Sequence, residues 1–335
     1  MLKENPKGRT VFQNKNILIT GGLGFIGSNL AIKLCKLGAN ITIVDSVLPE
    51  YGGNFFNIEE IKDDVKVSIS DIRDKNSMNV LVQDRDYIFH LAGQSSHVLS
   101  LTNPYPDIDI NVIGTINLVE ACKIYNPDVK IIYTGTRGEY GHSQKLPVSE
   151  DAPTNPKGIH EISNLTAEKI LKVYNDTHKI NAVLLRLTNI FGPRSQMKYS
   201  SYGVANWFIR LAIDNDTITV FGDGSMLRDF LYIDDCVEAI IQSALSEGAI
   251  GEIFNVGKDV PISFLEYVKK VIDIVGSGKW KFTPFTPERL AQEPGDFYSD
   301  ISKIKRILGW EPKTSIEEGI RLTSEFYKRF KKYYW

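Results

Sequence analysis

Three glycines, Gly21, Gly24 and Gly27, stand at three-residue spacing after the apolar, β-branched stretch Asn16 to Thr20. The chemistry open to such a turn is the binding of a pyrophosphate. Without side chains the backbone approaches a phosphate closely, and a helix starting there turns free N–H groups and its positive dipole end toward the anion. Phe25 and Ile26 lie inside the turn, and the following SNLAIKLCKLG places apolar residues at helical spacing up to Gly38. Asn40 to Val44 is a second apolar strand, closed by Asp45. An acid there accepts hydrogen bonds from the adenosine ribose and repels a 2′-phosphate, so the pattern predicts NAD rather than NADP. A glycine triplet alone is a weak signal, and a glycine-rich turn without a ligand is the competing explanation. Strand, turn, helix and acid together favour the cofactor.

The rest of the chain must position that turn. It has 335 residues, 42% hydrophobic, enough for one large domain or two joined ones, with a formal net charge of −2. That charge predicts no general affinity for nucleic acid or anionic membrane. No apolar run is long enough to span a bilayer. The first residues, MLKENPKGRTVFQ, lack a hydrophobic signal core, so a cytoplasmic protein is expected. Cys35, Cys122 and Cys236 are scattered and read as reduced, structural thiols rather than a disulfide, a metal site or a nucleophile.

In chain order, residues 1–14 read as a loose polar arm. SVLPEYGGNFFNIEEI is an irregular excursion over the nucleotide site, and a third strand, Val65 to Ser70, runs into DIRD. A fourth strand, Asp86 to Leu91, ends in the small residues of AGQSS, which lets a cofactor lie against the backbone of Leu91, Ala92 and Gly93. His90, at that strand end, reads as a packed structural residue. DIDINVIGTINLVEACKIY is helical, Lys130 to Thr134 is a fifth strand, Gly158 to Thr177 a long helix and Ala182 to Thr188 a sixth strand. This alternation predicts an α/β fold with a doubly wound parallel sheet. The rhythm loosens beyond Pro193, so residues 1–190 are expected to form the NAD-binding domain and 191–335 a smaller, interleaved one.

TGGLGFIG, HLAG, LRLTNIFGPR, FGDGSMLRDFLYIDD, GEIFNVG, EPGD and ILGWEPKTSIEEGI occur in that order. Together they resemble the extended short-chain dehydrogenase/reductase family, the NAD-dependent nucleotide-sugar epimerases and dehydratases, and are most similar to UDP-glucose 4-epimerase-like proteins. The resemblance covers Lys15 to about Tyr327. It implies a Rossmann-type domain with a smaller C-terminal α/β substrate-binding part. It also implies adenine contacts from Asp71 and Ile72, although Asp71 suits a helix N-cap equally well. Asn111 matches an asparagine that braces the sheet near the cofactor.

The resemblance implies a catalytic Ser or Thr at Thr136 and a Tyr-x-x-x-Lys pair on the long helix. IHEISNLTAEK places His160 at the Tyr position and Asn164 at the Lys position, on one helix face. The spacing is kept and the chemistry is not. In one reading His160 is the base, since an imidazole titrates near neutrality without a lysine beside it, and Asn164 hydrogen-bonds the ribose. In another the site is impaired and the protein binds NAD and a sugar nucleotide as a sensor. In a third, Glu139, Tyr140, His142 or Glu161 supplies the base. Arg137–Gly138 follow Thr136 where dehydratases of the family carry Asp-Glu, which disfavours 4,6-dehydration. A 4-epimerase acting on a UDP- or other NDP-hexose fits best, and a decarboxylase using Arg137 stays open.

For the substrate, the resemblance implies Asn189 and Arg228 at the diphosphate, Val220 and Phe221 beside the base and Asp296 at the ribose. Arg228 pairs a phosphate bidentately, or pairs Asp229 or Asp234 as a structural residue. Glu293 stands where the family often has arginine, and Arg289 is a candidate replacement. A homodimer through the helices around Asp109–Tyr125 and Gly158–Asn175 is implied as well. From Asp45, NAD is expected to bind more tightly than NADP, and Asp45→Ala to narrow the gap. Titration of both cofactors checks this, and equal affinities for the wild type would overturn it.

Overall fold

The computed structural model of the protein describes residues 11–49, 51–287, 290, 293 and 295–335. Its centre is a seven-stranded parallel sheet. In chain order the first six strands are β1 (Asn16–Thr20), β2 (Asn40–Asp45), β3 (Val65–Ile69), β4 (Tyr87–His90), β5 (Lys130–Thr136) and β6 (Asn181–Leu187). The sheet order is Ile253–Val256, β6, β5, β4, β1, β2, β3. The winding therefore reverses between β1 and β4. In an open α/β sheet that reversal leaves a crevice at the carboxyl ends of the strands. Ile17, Leu18, Ile19, Ile88, Phe89, Ile131 and Ile132 are fully buried, because helices cover both faces and such strands carry continuous apolar runs.

The later part of the chain is built into this sheet. Ile253–Val256 pairs with β6, and the helix Ile233–Leu245 packs on β5 and β6. Residues 11–14, expected to belong to a loose arm, are not loose. Phe12 is buried with its ring 5.6 Å from that of Tyr87, and Asn14 N donates to Gly38 O. The rest of the arm lies outside the described residues. Among the described residues no helix is long and apolar enough to cross a membrane.

Two local differences from the sequence reading bear on the site. The helix expected over 107–125 contains a π-helical turn, Ile108–Ile113, before the α-helix Gly114–Tyr125. Such turns re-aim side chains, and this one carries Asn111. Asp71 is not a helix N-cap. Asp74 caps the helix Lys75–Leu81, while Asp71 grips Arg73, whose guanidinium holds its carboxyl below the usual range.

His90 is buried at the end of β4 and ties three elements together. Its Nδ1 is 2.9 Å from Thr20 Oγ1, and its Nε2 is 2.9 Å from Thr115 Oγ1. Thr115 already donates to Asn111 O, so it accepts from His90 Nε2–H. Thr20 Oγ1 takes the N–H groups of Leu91 and Ala92 and donates to His90 Nδ1. Every atom is satisfied with a neutral ring, and burial pulls the imidazole down to about 4. The unfolded chain binds this proton below pH ~6.5 and the folded chain refuses it until about 4. Stability from this residue is therefore full near neutrality and falls as the pH drops through that window, by up to about 3 kcal/mol. Denaturant unfolding at pH ~7 and pH ~4 should show a smaller pH-dependent loss in His90→Gln than in the wild type, and equal losses would refute the assignment.

Candidate active site

At the carboxyl ends of β1, β4 and β5 lies a cavity of about 960 Å³, at the upper end for small-molecule sites. One wall is the glycine turn. Gly21 has φ +69°, and a Cβ there would lie 2.8 Å from the Ala92 backbone. A Cβ on Gly27 would lie 2.3 Å from Gly21 O. Both positions need glycine, and the resulting cradle opens onto the N-terminus of the helix Phe25–Lys36. Gly24, Phe25 and Ile26 line the same wall. Asp45 closes it. Its Oδ2 accepts Leu23 N–H at 3.1 Å and its Oδ1 accepts Val47 N–H at 3.0 Å, which fix the carboxylate at the cavity edge. Burial raises this carboxyl above the usual range against those two bonds. The excursion after β2 folds over the turn, with Asn57 donating to Leu23 O. Asp71, Ile72, Leu91, Ala92, Gly93 and Asn111 line the adjoining surface. The glycine cradle, the helix N-terminus and the acid fit a dinucleotide.

Asn111 locks the strip after β4. Its Oδ1 accepts Gln94 N–H at 2.8 Å, and its Nδ2 donates to Gln94 O at 3.1 Å and Ser163 Oγ at 3.0 Å. This carries the bracing from the sheet to the long helix, Ile159–His178. Gln94 in turn donates to Asp107 Oδ2 at 2.8 Å.

Thr136 ends β5 and faces the cavity. Its Oγ1 accepts Gly138 N–H at 3.1 Å and its N–H donates to Glu139 Oε1, so its hydroxyl proton points elsewhere. His160 and Asn164 lie one turn apart on the long helix and also line the cavity. His160 is 6% exposed, with its Nδ1 3.5 Å from Asp107 Oδ1 and its ring edge-on to His97 at 4.6 Å. Asn164 is turned inward. Its Oδ1 accepts from Tyr133 Oη at 3.2 Å and its Nδ2 donates to His160 O at 2.7 Å. These two bonds leave the amide a second N–H and a second lone pair.

The alternative bases separate clearly. Glu139 is buried with Arg186 and Glu168, outside the cavity. Burial raises both carboxyls, but Glu168, gripped by Arg186 at 2.7 and 2.8 Å, ends below its usual range while Glu139 ends well above. Tyr140 is buried and donates to Asn255 Oδ1 at 2.7 Å. His142 lies beside Gly295 rather than on the cavity wall. Glu161 does line the cavity. Burial opposes its charge, yet the hydrogen bond from His97 Nδ1 brings its carboxyl down to about 2.

On the substrate side Asn189 lines the cavity, and its Nδ2 is a buried donor with no partner among the described residues. Such a group is costly unless something accepts from it. Arg228 lines the cavity and pairs with Glu293, not with Asp229 or Asp234, and donates to Gly295 O at 2.6 Å. Arg137 lies close by. Burial and then the like charge of Arg228 lower its guanidinium to about 10, still cationic near neutrality. Phe221 faces the cavity, whereas Val220 points into the core, as alternation along a strand requires. Asp296 is exposed, accepts Leu227 N–H at 2.9 Å and does not line the cavity. Arg289 falls outside the described residues. Sequence reading missed Gln94, His97 and Asp107. No motif marks them, and only the fold of the segment after β4 brings them to the site.

A switch-point cleft with a glycine cradle, a terminal acid and a hydroxyl opposite a helix-borne base position defines an NAD-dependent Rossmann enzyme of the extended short-chain type. The chain belongs to the family described as GDP-mannose 4,6 dehydratase, whose sequence profile matches residues 18–323, the nucleotide-sugar epimerases and dehydratases. A putative UDP-glucose 4-epimerase of Methanocaldococcus jannaschii is 33% identical over 312 residues, 91% of this chain and 96% of that protein. The UDP-glucose 4-epimerase of Thermotoga maritima, solved with UDP-glucose, superposes with a TM-score of 0.85 at 30% identity, over 94% of this chain and 99% of that one. That of Thermus thermophilus, solved with NAD, superposes at 0.83 and 27% identity, over 93% and 99%.

Proposed function

We propose that this protein is an NAD-dependent epimerase that oxidises C4 of an NDP-hexose, a UDP-hexose first among them, with His160 as its base. We place it in the cytoplasm as a homodimer. The observation that carries the reading is one cavity joining the glycine cradle, Thr136, His160 and the orphaned Asn189 amide. NAD, when bound, accepts hydride from the sugar carbon and returns it. His160 takes the proton of the sugar hydroxyl as that hydride leaves, and gives it back on reduction. Thr136 orients the hydroxyl with the proton its cap does not use. Asn189 and the two cations Arg137 and Arg228 hold the diphosphate, which must displace Glu293 from Arg228. No carboxylate follows Thr136 to expel a C6 hydroxyl, so the keto-sugar is returned to hexose rather than dehydrated.

Purified protein with NAD and a panel of NDP-hexoses should convert one of them to its C4 epimer. A steady yield of 4-keto-6-deoxy sugar would sink the reading. His160→Ala should lower turnover by roughly 10² to 10⁴-fold and leave NAD binding intact. Full activity in that variant would move the base elsewhere, Glu161 first. If the wild type turns over nothing while His160→Tyr with Asn164→Lys gains activity, the protein is a binder.

The dimer reading rests on apolar side chains on the outer faces of two packed helices, Gly114–Tyr125 and Ile159–His178. Ile124, Tyr125, Ile162 and Val173 are exposed there. Covering these side chains against a second copy would remove apolar surface from water. Sedimentation should give twice the mass of one chain, and Ile162→Glu should shift it toward one. A wild type that sediments as a single chain would refute the dimer.

A further inference from the structure

We infer that Asp107 is the positioning residue of His160: it holds the proton on Nδ1, so that the Nε2 lone pair is the one presented to the sugar hydroxyl. The inference rests on the reading of His160 as base. Asp107 is fully buried. Its Oδ2 accepts from Gln94 Nε2 at 2.8 Å, but its Oδ1 has no hydrogen-bond donor. A buried carboxylate oxygen without a donor is costly, and a fold that keeps one has a use for the negative charge. Among the described residues its one ion-pair partner is His160 Nδ1, at 3.5 Å. That separation is too long for a tight hydrogen bond, yet base–orienter contacts are often loose before the substrate is bound.

Two placements of the ring proton compete. With the proton on Nε2, Nδ1 accepts a long contact of 3.4 Å from Asn164 Nδ2, and Asp107 Oδ1 stays orphaned. With the proton on Nδ1, Asp107 Oδ1 faces an N–H at 3.5 Å, a contact that closes to a hydrogen bond on a small shift of the ring. Asn164 loses little, since its Nδ2 already donates to His160 O at 2.7 Å. The second placement gives the buried carboxylate oxygen the one N–H within its reach and leaves Nε2 bare. The other groups facing the ring do not supply this function. His97 meets it edge-on and gives its own Nδ1 to Glu161. Glu161 reaches it only through space, and Tyr133 Oη donates to Asn164.

In the step itself the sugar O–H bond breaks and its proton goes to Nε2. The O–H electron pair becomes the C=O π bond as hydride leaves the carbon for NAD. His160 is then an imidazolium with a proton on each nitrogen. The anion of Asp107, already in place and already desolvated, faces that new charge, as preorganised electrostatics requires. The lysine expected one turn along the helix would have opposed it. A histidine base with a carboxylate behind it needs an uncharged neighbour, and Asn164 is one.

The test reads the tautomer directly. The protein has five histidines, few enough to assign by ¹⁵N labelling, with His160→Gln identifying the resonances of interest. With NAD bound, neutral His160 should show a protonated Nδ1 and a bare Nε2. Asp107→Asn should reverse this, because the new amide offers Nδ1 a donor and favours Nε2–H. The same variant should lose about 10²-fold in kcat with KM within about twofold, and lose nothing further in a His160→Gln background. A wild type in the Nε2–H form overturns the inference without Asp107→Asn having to fold. So does Asp107→Asn with wild-type turnover, or with an equal loss added to His160→Gln. Failure of the parent reading looks different, since His160→Gln itself would then keep full activity.

Discussion

Between Gly21 and the backbone of Leu91 and Ala92 there is no room for another carbon atom. The cofactor cradle exists only while the end of β1 lies against the end of β4, and much of the molecule serves to keep it there. Thr20, next to the turn, is tied through His90 to Thr115 and on to Asn111. Asn111 holds Gln94, Gln94 holds Asp107, and Asp107 faces His160. One line of buried polar contacts thus runs from the dinucleotide turn to His160. Buried networks of this kind are costly when one member is missing and rigid when complete. The loosest joint in this line is the last, Asp107 Oδ1 to His160 Nδ1 at 3.5 Å.

On the proposed reading of His160 as base, this line accounts for a histidine–asparagine pair standing where the family has tyrosine and lysine. A phenol must be acidified by a cation, and an imidazole must be oriented and supported by an anion. Changing one residue without the other leaves a charge of the wrong sign beside the base. If His160 is the base, as proposed, the buried carboxylate at position 107 and the neutral amide at position 164 are parts of one exchange.

The sheet, the glycine cradle and Asp45 were legible in the sequence because each rests on a local rule: period, small size or one terminal charge. So was the register of His160 and Asn164, since four residues on a helix always share a face. What was not legible depended on contacts between distant segments. Asp107 opens a run, DIDIN, whose periodicity says only that it is helical, and the turn at Ile108–Ile113 and the fold of the preceding loop bury it. Arg228 has two acids close in sequence and pairs with neither, because a segment 65 residues on delivers Glu293. Val220 and Phe221 could not be told apart without knowing which face of their strand meets the core.

The strand Ile253–Val256 also says something about how the chain is made. It completes the edge of the sheet beside β6, yet it leaves the ribosome 66 residues after residue 187, the difference between 253 and 187. Until then β6 is an open edge of buried type, with Ala182 to Leu187 unpaired on one side. Exposed apolar edges recruit other chains. A fragment ending near residue 190 would keep that edge for good. The nascent protein keeps it only until its own seventh strand emerges, which makes this the interval in which synthesis is most exposed to aggregation.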